Sequence, residues 1–193
     1  MSGRAWWVLL LVFAGSALGQ AAGTPSATSA GTPAPLGRSS AGARGPLELK
    51  LPLYPSRKMH DLAKDRGNVV LLDVWATWCE PCRAALPVYE QLLKQYGKRG
   101  FKVYAINVDE DQDDIRPFIK LTKLSLPVLL DLDGEIAETK LRVRVMPTSF
   151  VLDRQGRIRH VHEGFAPDSL TKYQAEIEAL LAEKAPVEAH ADP

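Results

Sequence analysis

The chain has 193 residues, 46% of them hydrophobic and 24% charged, a balance that suits one globular domain with extensions and excludes a wholly disordered or wholly membrane-embedded chain. Its 24 basic and 23 acidic residues leave a net charge of +1. A near-neutral chain offers no electrostatic argument for nucleic-acid binding, and that class is set aside.

In chain order, Arg4 precedes an unbroken apolar run from Trp6 to Phe13, and Ala17-Leu18-Gly19 follow before Gln20. This is the pattern of a secretory signal, expected over residues 1–19. The apolar stretch is shorter than the ~20 residues that span a bilayer comfortably, so an uncleaved N-terminal membrane anchor is the second reading. Either way the expected location is outside the cytoplasm: periplasmic, or anchored to the membrane and facing the periplasm. Residues 20–46 are mostly Ala, Gly, Ser, Thr and Pro and cannot bury enough apolar surface to offset their ordering entropy, so a flexible linker is expected there. A short polar tail is expected over 185–193.

Between them, residues 47–184 read as one α/β domain. Leu47 to Leu53 alternates as a half-buried edge strand does. Val69 to Trp75 is dense in apolar and β-branched residues, as a strand covered on both faces should be. Cys79 to Tyr96 places Leu86, Tyr89, Leu92 and Leu93 at helical spacing, with Gly97 as the expected stop. Phe101 to Val108 is a strand, and Asp111 to Lys123 a helix with acids in its first turn. Pro127 to Asp131 is a short strand, Asp133-Gly134 a turn, and Ala137 to Val143 a short helix. Thr148 to Asp153 and Arg157 to Glu163 are strands joined by Arg154-Gln155-Gly156, and Pro167 to Glu183 is a closing amphipathic helix. This order implies a central mixed sheet, parallel first and antiparallel at one end, with helices on both faces.

The only cysteines are Cys79 and Cys82. A Cys-x-x-Cys disulfide closes almost no loop, so it restricts the unfolded chain little and points to chemistry rather than to a structural staple. Half of a zinc site is a competing reading, but zinc needs four ligands and only His60, His160, His162 and His190 are left to complete it. Copper binding by the two soft thiolates is a further one. Because the buried strand runs straight into a helix, both cysteines fall in its first turn, where unpaired N–H groups and the helix dipole favour a thiolate. Cys79, at the very start, is expected to be the accessible nucleophile. Cys82, one turn deeper, is expected to be the resolving thiol. Asp73 is the one ionisable side chain in the apolar strand, and a buried carboxylate resists ionisation.

The segment Val69 to Pro87 reads VVLLDVWATWCEPCRAALP, and Met146-Pro147-Thr148 follows at a distance. Together these resemble the thioredoxin superfamily, and more narrowly the TlpA/ResA-type exported thiol-disulfide oxidoreductases that serve cytochrome c and copper-centre assembly. The resemblance implies a thioredoxin-like fold and dithiol-disulfide exchange with protein disulfide substrates, most readily as a reductant reset by a membrane-embedded electron donor, with no bound cofactor and no metal. It implies that Pro147 is a cis-proline facing the cysteines, that Met146 meets the substrate backbone, that Trp78 forms an apolar rim, and that Asp73 helps move the proton of Cys82. Two positions depart from the pattern. Ala85 stands where many TlpA/ResA-type sequences carry a glutamate, and Ala105 where thioredoxins often carry a lysine. Glu80 and Pro81, between the cysteines, are expected to tune the redox potential: an anion beside Cys79 disfavours its thiolate and so disfavours a strongly oxidising disulfide. A disulfide-donating oxidase and a non-enzymatic copper-handling module are the alternative functions. His160 and His162 share one strand face and are expected to meet solvent, as is the acidic run Asp109, Glu110, Asp111, Asp113 and Asp114.

Overall fold

In a computed structural model of the chain, residues 45–166 and 168–184 are described. The expected signal or anchor, nearly all of the linker, the tail and Pro167 lie outside the described residues. The strands are β1 (Lys50–Pro52), β2 (Met59–Asp61), β3 (Val69–Trp75), β4 (Phe101–Asn107), β5 (Val128–Leu130), β6 (Thr148–Leu152) and β7 (Ile158–Glu163); the helices are α1 (Glu80–Tyr96), α2 (Ile115–Thr122) and α3 (Ser169–Ala182).

Five strands form one sheet in the order β5-β4-β3-β6-β7. β3, β4 and β5 run parallel, and β6 and β7 are antiparallel. Every residue of β3 is buried, as the composition of a central strand, apolar at every position but Asp73, leads one to expect. Its odd positions Val69, Leu71 and Trp75 pack with α1, α2 and α3, through Leu86, Tyr89, Leu92, Phe118, Tyr173 and Ile177 among others. Its even positions Val70, Leu72 and Val74 pack on the other face with Tyr104, Ile106, Phe150, Ala137 and Leu141. That second face is covered by the 3₁₀ turn Leu62–Asp65, by Ile136–Lys140 and by the β1–β2 hairpin. The result is the mixed, helix-flanked sheet of a thioredoxin-like fold. Each large aliphatic side chain buried here contributes about 1.5–3 kcal/mol relative to exposure.

Several local expectations are refined. Strand pairing in the Leu47–Leu53 segment is confined to Lys50–Pro52, whose partner is a strand the alternation pattern missed, Met59–Asp61. Leu53 then bridges Leu129, and the Tyr54 N–H donates to the Val128 carbonyl at 2.9 Å, so this segment lies against β5. The stretch expected as one helix over Asp111 to Lys123 divides into a 3₁₀ turn, Gln112–Asp114, and α2. The short helix expected over Ala137 to Val143 is a single π-helical turn, Ile136–Lys140. α1 ends at Tyr96 with Gly97 as its C-cap, as expected, but Gly97 has a φ of −53° and the chain continues through a 3₁₀ turn to Gly100, whose φ of +89° makes the reversal. A side chain at Gly100 would be strained at that φ, and its Cβ would also meet Nη1 of Arg154 at 3.3 Å. The β6–β7 connection carries a bulge at Val151/Leu152, and Asp153 holds the turn by accepting from the Gln155 and Arg157 N–H groups at 3.0 and 2.9 Å.

Candidate functional site

Cys79 is the N-cap of α1 and Cys82 lies in its first turn, with Glu80 and Pro81 between them at the helix start. The two sulfurs are joined as a disulfide, with Cα atoms 5.3 Å apart. A proline is well placed in a first turn because its missing N–H has no intrahelical partner to lose. The sequence suggested an accessible Cys79. In the disulfide form Cys79 is only 5% exposed, against 0% for Cys82, because both pack in the cluster that holds Ala76 and Ala85. The order of depth is as expected, but the opening is narrow.

The turn that presents Cys79 is held by a carboxylate that local pattern did not single out. Asp109 accepts from the Thr77 N–H at 3.1 Å to both oxygens, from the Thr77 hydroxyl at 3.1 Å and from the Asn107 amide at 2.7 Å. It is buried, whereas the rest of the acidic run is exposed as expected. Asp109 lies two residues after β4, whose last residue Asn107 pairs with Trp75 at the end of β3. The parallel register therefore carries it to the loop before α1. Asp109→Ala leaves these donors without their acceptor in a largely buried site, and a loss of about 1–3 kcal/mol is expected. A lower urea midpoint with unchanged slope is the measurement that checks it.

The Met146–Pro147 peptide bond is cis. Pro147 is buried directly before β6, whose first residue Thr148 pairs with Val74 near the end of β3. The cis bond and the cysteine pair thus sit at the same end of the sheet. Met146 is half-buried against both core clusters, while Val145 and Trp78 are exposed, Trp78 to 70%. Trp75, by contrast, is core, its ring 4.9 Å from that of Phe118. The disulfide is therefore nearly closed, with the exposed Trp78 directly before Cys79 in the chain and the Val145–Pro147 segment at the same end of the sheet.

Asp73 is fully buried and neither carboxylate oxygen accepts a hydrogen bond; Trp75 Nε1 on the same strand face is also without a partner. Burial pushes the Asp73 carboxyl well above the usual carboxylate range. The Tyr89 hydroxyl is near enough to oppose that shift in part, though it is not aligned into a hydrogen bond. Positions 69, 71, 73 and 75 of a strand share one face, so Asp73 points to the α1 side, as Cys82, Ala85 and Tyr89 point down to the sheet. Ala105 and Ser149 pair with Asp73 from the flanking strands. No cation stands across from it on either strand.

The remaining polar features take their places around this core. Glu80 pairs with Arg83 at 3.2 Å, both largely exposed. Ala85 is fully buried in the face of α1 that meets the sheet. A groove of about 300 Å³ runs along the other side of α1, lined by Glu80, Arg83, Pro87, Glu90, Phe118 and Leu124 among others. His160 and His162 do share a face, but it meets α3 rather than open solvent. Glu176 Oε2 is hydrogen-bonded to His162 Nε2 at 2.7 Å, and its Oε1 lies 3.4 Å from His160 Nδ1. Burial lowers the His160 pKa more than Glu176 raises it. Among the described residues no three His, Cys, Asp or Glu side chains converge as metal ligands.

Residues 48–161 match the model of the AhpC/TSA family. The thiol-disulfide oxidoreductase ResA of Bacillus thuringiensis subsp. konkukian is 35% identical over 101 residues, which are 52% of this chain and 58% of that protein. The thioredoxin-like protein YneN of Bacillus subtilis is 34% identical over 124 residues, 63% of this chain and 69% of that one. The chain thus spans about three-fifths of the length of the ResA relatives it matches. Among solved structures, a Chlorobium tepidum protein assigned as the thiol:disulfide interchange protein DsbE superposes with a TM-score of 0.66 at 32% identity, covering 71% of this chain and 95% of that one.

Proposed function

The chain belongs to the AhpC/TSA family of thioredoxin-like proteins, and from that membership we propose that it is an exported thiol-disulfide oxidoreductase that reduces disulfides of exported proteins, of the kind needed in cytochrome c or copper-centre assembly. The observation that carries the reading is the Cys79–Cys82 disulfide in the first turn of α1, at the sheet end that also bears the cis Met146–Pro147 bond. The similarity to ResA and DsbE proteins supports it. With the pair reduced, the Cys79 thiolate attacks a substrate disulfide and forms a mixed disulfide, and the Cys82 sulfur displaces the substrate thiolate. Substrate leaves with two electrons more and the protein is left as its disulfide. A membrane-embedded reductase is the electron donor that would reset it. Trp78 and the Val145–Pro147 turn supply the apolar rim and the backbone against which a substrate segment lies. Turnover of a model disulfide in the presence of a chelator separates this reading from a copper-handling module, which would show none.

Direction follows from the electrostatics of Cys79. A strong oxidant needs an unusually stable nucleophile thiolate in its reduced form. Here the neighbouring side chain is the anion Glu80, offset only by an exposed pairing with Arg83. The helix dipole contributes about 0.3–1 kcal/mol at an exposed terminus. The roughly 150 mV between thioredoxin and DsbA corresponds to about 7 kcal/mol for two electrons, beyond the reach of that contribution. A potential below about −220 mV is expected, read by equilibrating the protein with a glutathione buffer and counting free thiols. A value near the roughly −120 mV of DsbA would overturn the reductase direction.

A further inference from the structure

Beneath α1 lies a string of buried hydroxyls that the exchange chemistry above does not use. The Tyr89 hydroxyl is 3.2 Å from that of Tyr173, which is 2.6 Å from the Ser149 hydroxyl. All three residues are at most 1% exposed. They come from three different elements, α1, α3 and β6, and converge on the face of β3 that carries Asp73. Tyr89 is seven residues after Cys82, two helical turns along the same buried face of α1. Ser149 is the β6 partner of Asp73 in the sheet register. A resolving thiol, an unpartnered carboxylate and three hydroxyls therefore occupy one water-poor layer between sheet and helix.

Elementary accounting shows what such a string can do. Each hydroxyl has one hydrogen to donate. If Ser149 donates to Tyr173 and Tyr173 to Tyr89, the Tyr89 hydrogen is left over, and Asp73 is the buried acceptor left unserved. With Asp73 protonated the string can run the other way, the carboxyl donating to Tyr89. Hydrogen bonds in such chains polarise one another, so the string responds to the charge of the carboxyl as a unit.

Resting on the oxidoreductase reading, we propose that Tyr89, backed by Tyr173 and Ser149, is the positioning residue that presents a hydroxyl to Asp73 and so enables the buried carboxylate to take the Cys82 proton. In the step it serves, the Cys82 thiol gives its proton to Asp73 and its sulfur attacks Sγ of Cys79. The Cys79–Cys82 bond forms, the Cys79–substrate bond breaks, and the substrate sulfur leaves with the electron pair as a thiolate. Asp73 keeps the proton and returns it to Cys82 when the donor reduces the disulfide again.

The groups facing Asp73 are few. On α1 they are Cys82 and Tyr89, on α3 Tyr173, on β6 Ser149, and on β4 the neutral Ala105. Behind Tyr173 stand His162, whose ring centroid is 4.6 Å from that of the tyrosine, and its partner Glu176. Of the surrounding side chains, Tyr89 is the one that favours the Asp73 carboxylate against the cost of burial.

The test follows the Asp73 carboxyl carbon by NMR in the oxidised full-length protein, labelled at aspartate, as pH is raised. Hydrogen bonds to charged groups are worth enough that losing one should raise the midpoint by about one pH unit or more in Tyr89→Phe. Tyr173→Phe should give a smaller shift in the same direction. An unchanged or lowered midpoint in Tyr89→Phe overturns the proposal. Should Tyr89→Phe fail to fold, Tyr173→Phe and Ser149→Ala decide in the same way. A structural role would lower the melting temperature without moving this midpoint. Rapid mixing with a model disulfide supplies the second arm: Tyr89→Phe should slow resolution near neutral pH and leave the first attack by Cys79 unchanged. Because the titration needs no turnover, wild-type protein that exchanges no disulfide would sink the parent reading, whereas exchange with an unshifted midpoint would sink this inference alone.

Discussion

Cys82→Ser should accumulate a mixed disulfide with substrate through Cys79, while Cys79→Ser should trap nothing and lose turnover altogether. The asymmetry follows from depth and position. Cys79 is the N-cap of α1, where exposed N–H groups and the helix dipole favour its thiolate, and it is the sulfur with residual exposure. Cys82 has none, so a substrate disulfide meets Cys79, and Cys82 acts only afterwards, on Sγ of Cys79. A serine at 79 cannot attack, and the remaining thiol is both buried and deprived of the dipole's best position. A serine at 82 leaves the first step intact and removes the only internal thiol able to complete the second. Gel-shift trapping under non-reducing conditions, with mass spectrometry of the captured partners, reads both outcomes and identifies the substrates. Comparable trapping through Cys82 in Cys79→Ser would reverse the roles.

Asp73→Asn carries the other large effect, and it has two parts with opposite signs. Resolution of the mixed disulfide should slow by ~10²-fold, the usual worth of direct proton transfer by a positioned side chain, while its formation is unaffected. Stability should move the other way. Burial raises the Asp73 pKa well above its ordinary value of 3.8, so the folded state holds the proton more tightly than the unfolded chain does. The favourable contribution is complete below the unfolded pKa and is lost as pH rises from there through the folded value. Wild-type protein therefore loses stability across that window, and Asp73→Asn, which has no charge to bury, should not. Urea unfolding at a series of pH values should show the variant gaining on wild type as pH increases. Parallel curves would mean that Asp73 does not titrate differently in the two states.

Which of these features could be read from the chain alone depended on whether their partners were close in sequence. β3 announced itself by a run apolar at every position but Asp73, and α1 by the spacing of Leu86, Tyr89 and Leu92. The cysteine pair, the Met146–Pro147 turn and the lone Asp73 were legible as motifs. The β2 strand was not, because three residues after a proline-containing turn are too few to show alternation. Asp109 looked like one acid among five in a solvated loop, since its partner Thr77 is 32 residues away. Tyr89 read as an ordinary core position for the same reason: its hydroxyl meets that of Tyr173, 84 residues on. His160 and His162 were rightly placed on one strand face, but nothing local told that α3 would return with Glu176 to cover it.

The strand pairing at the start of the domain bears on how it behaves when many copies are crowded together. A sheet edge is a template on which a foreign chain can stack, and folded proteins survive by blocking or charging it. Here β5, the short and wholly apolar strand at one end of the sheet, is met by Leu53 and Tyr54, while β7, at the other end, carries Arg159, His160, His162 and Glu163 in a six-residue strand. The segment before β3 is therefore a guard against self-association as much as a part of the core. A shortened recombinant chain that began at Ser56 would keep every cysteine, the cis Met146–Pro147 segment and Asp73, yet leave Val128–Leu130 open to its neighbours. Its failure would come as precipitation at high concentration, even where dilute samples still fold and react.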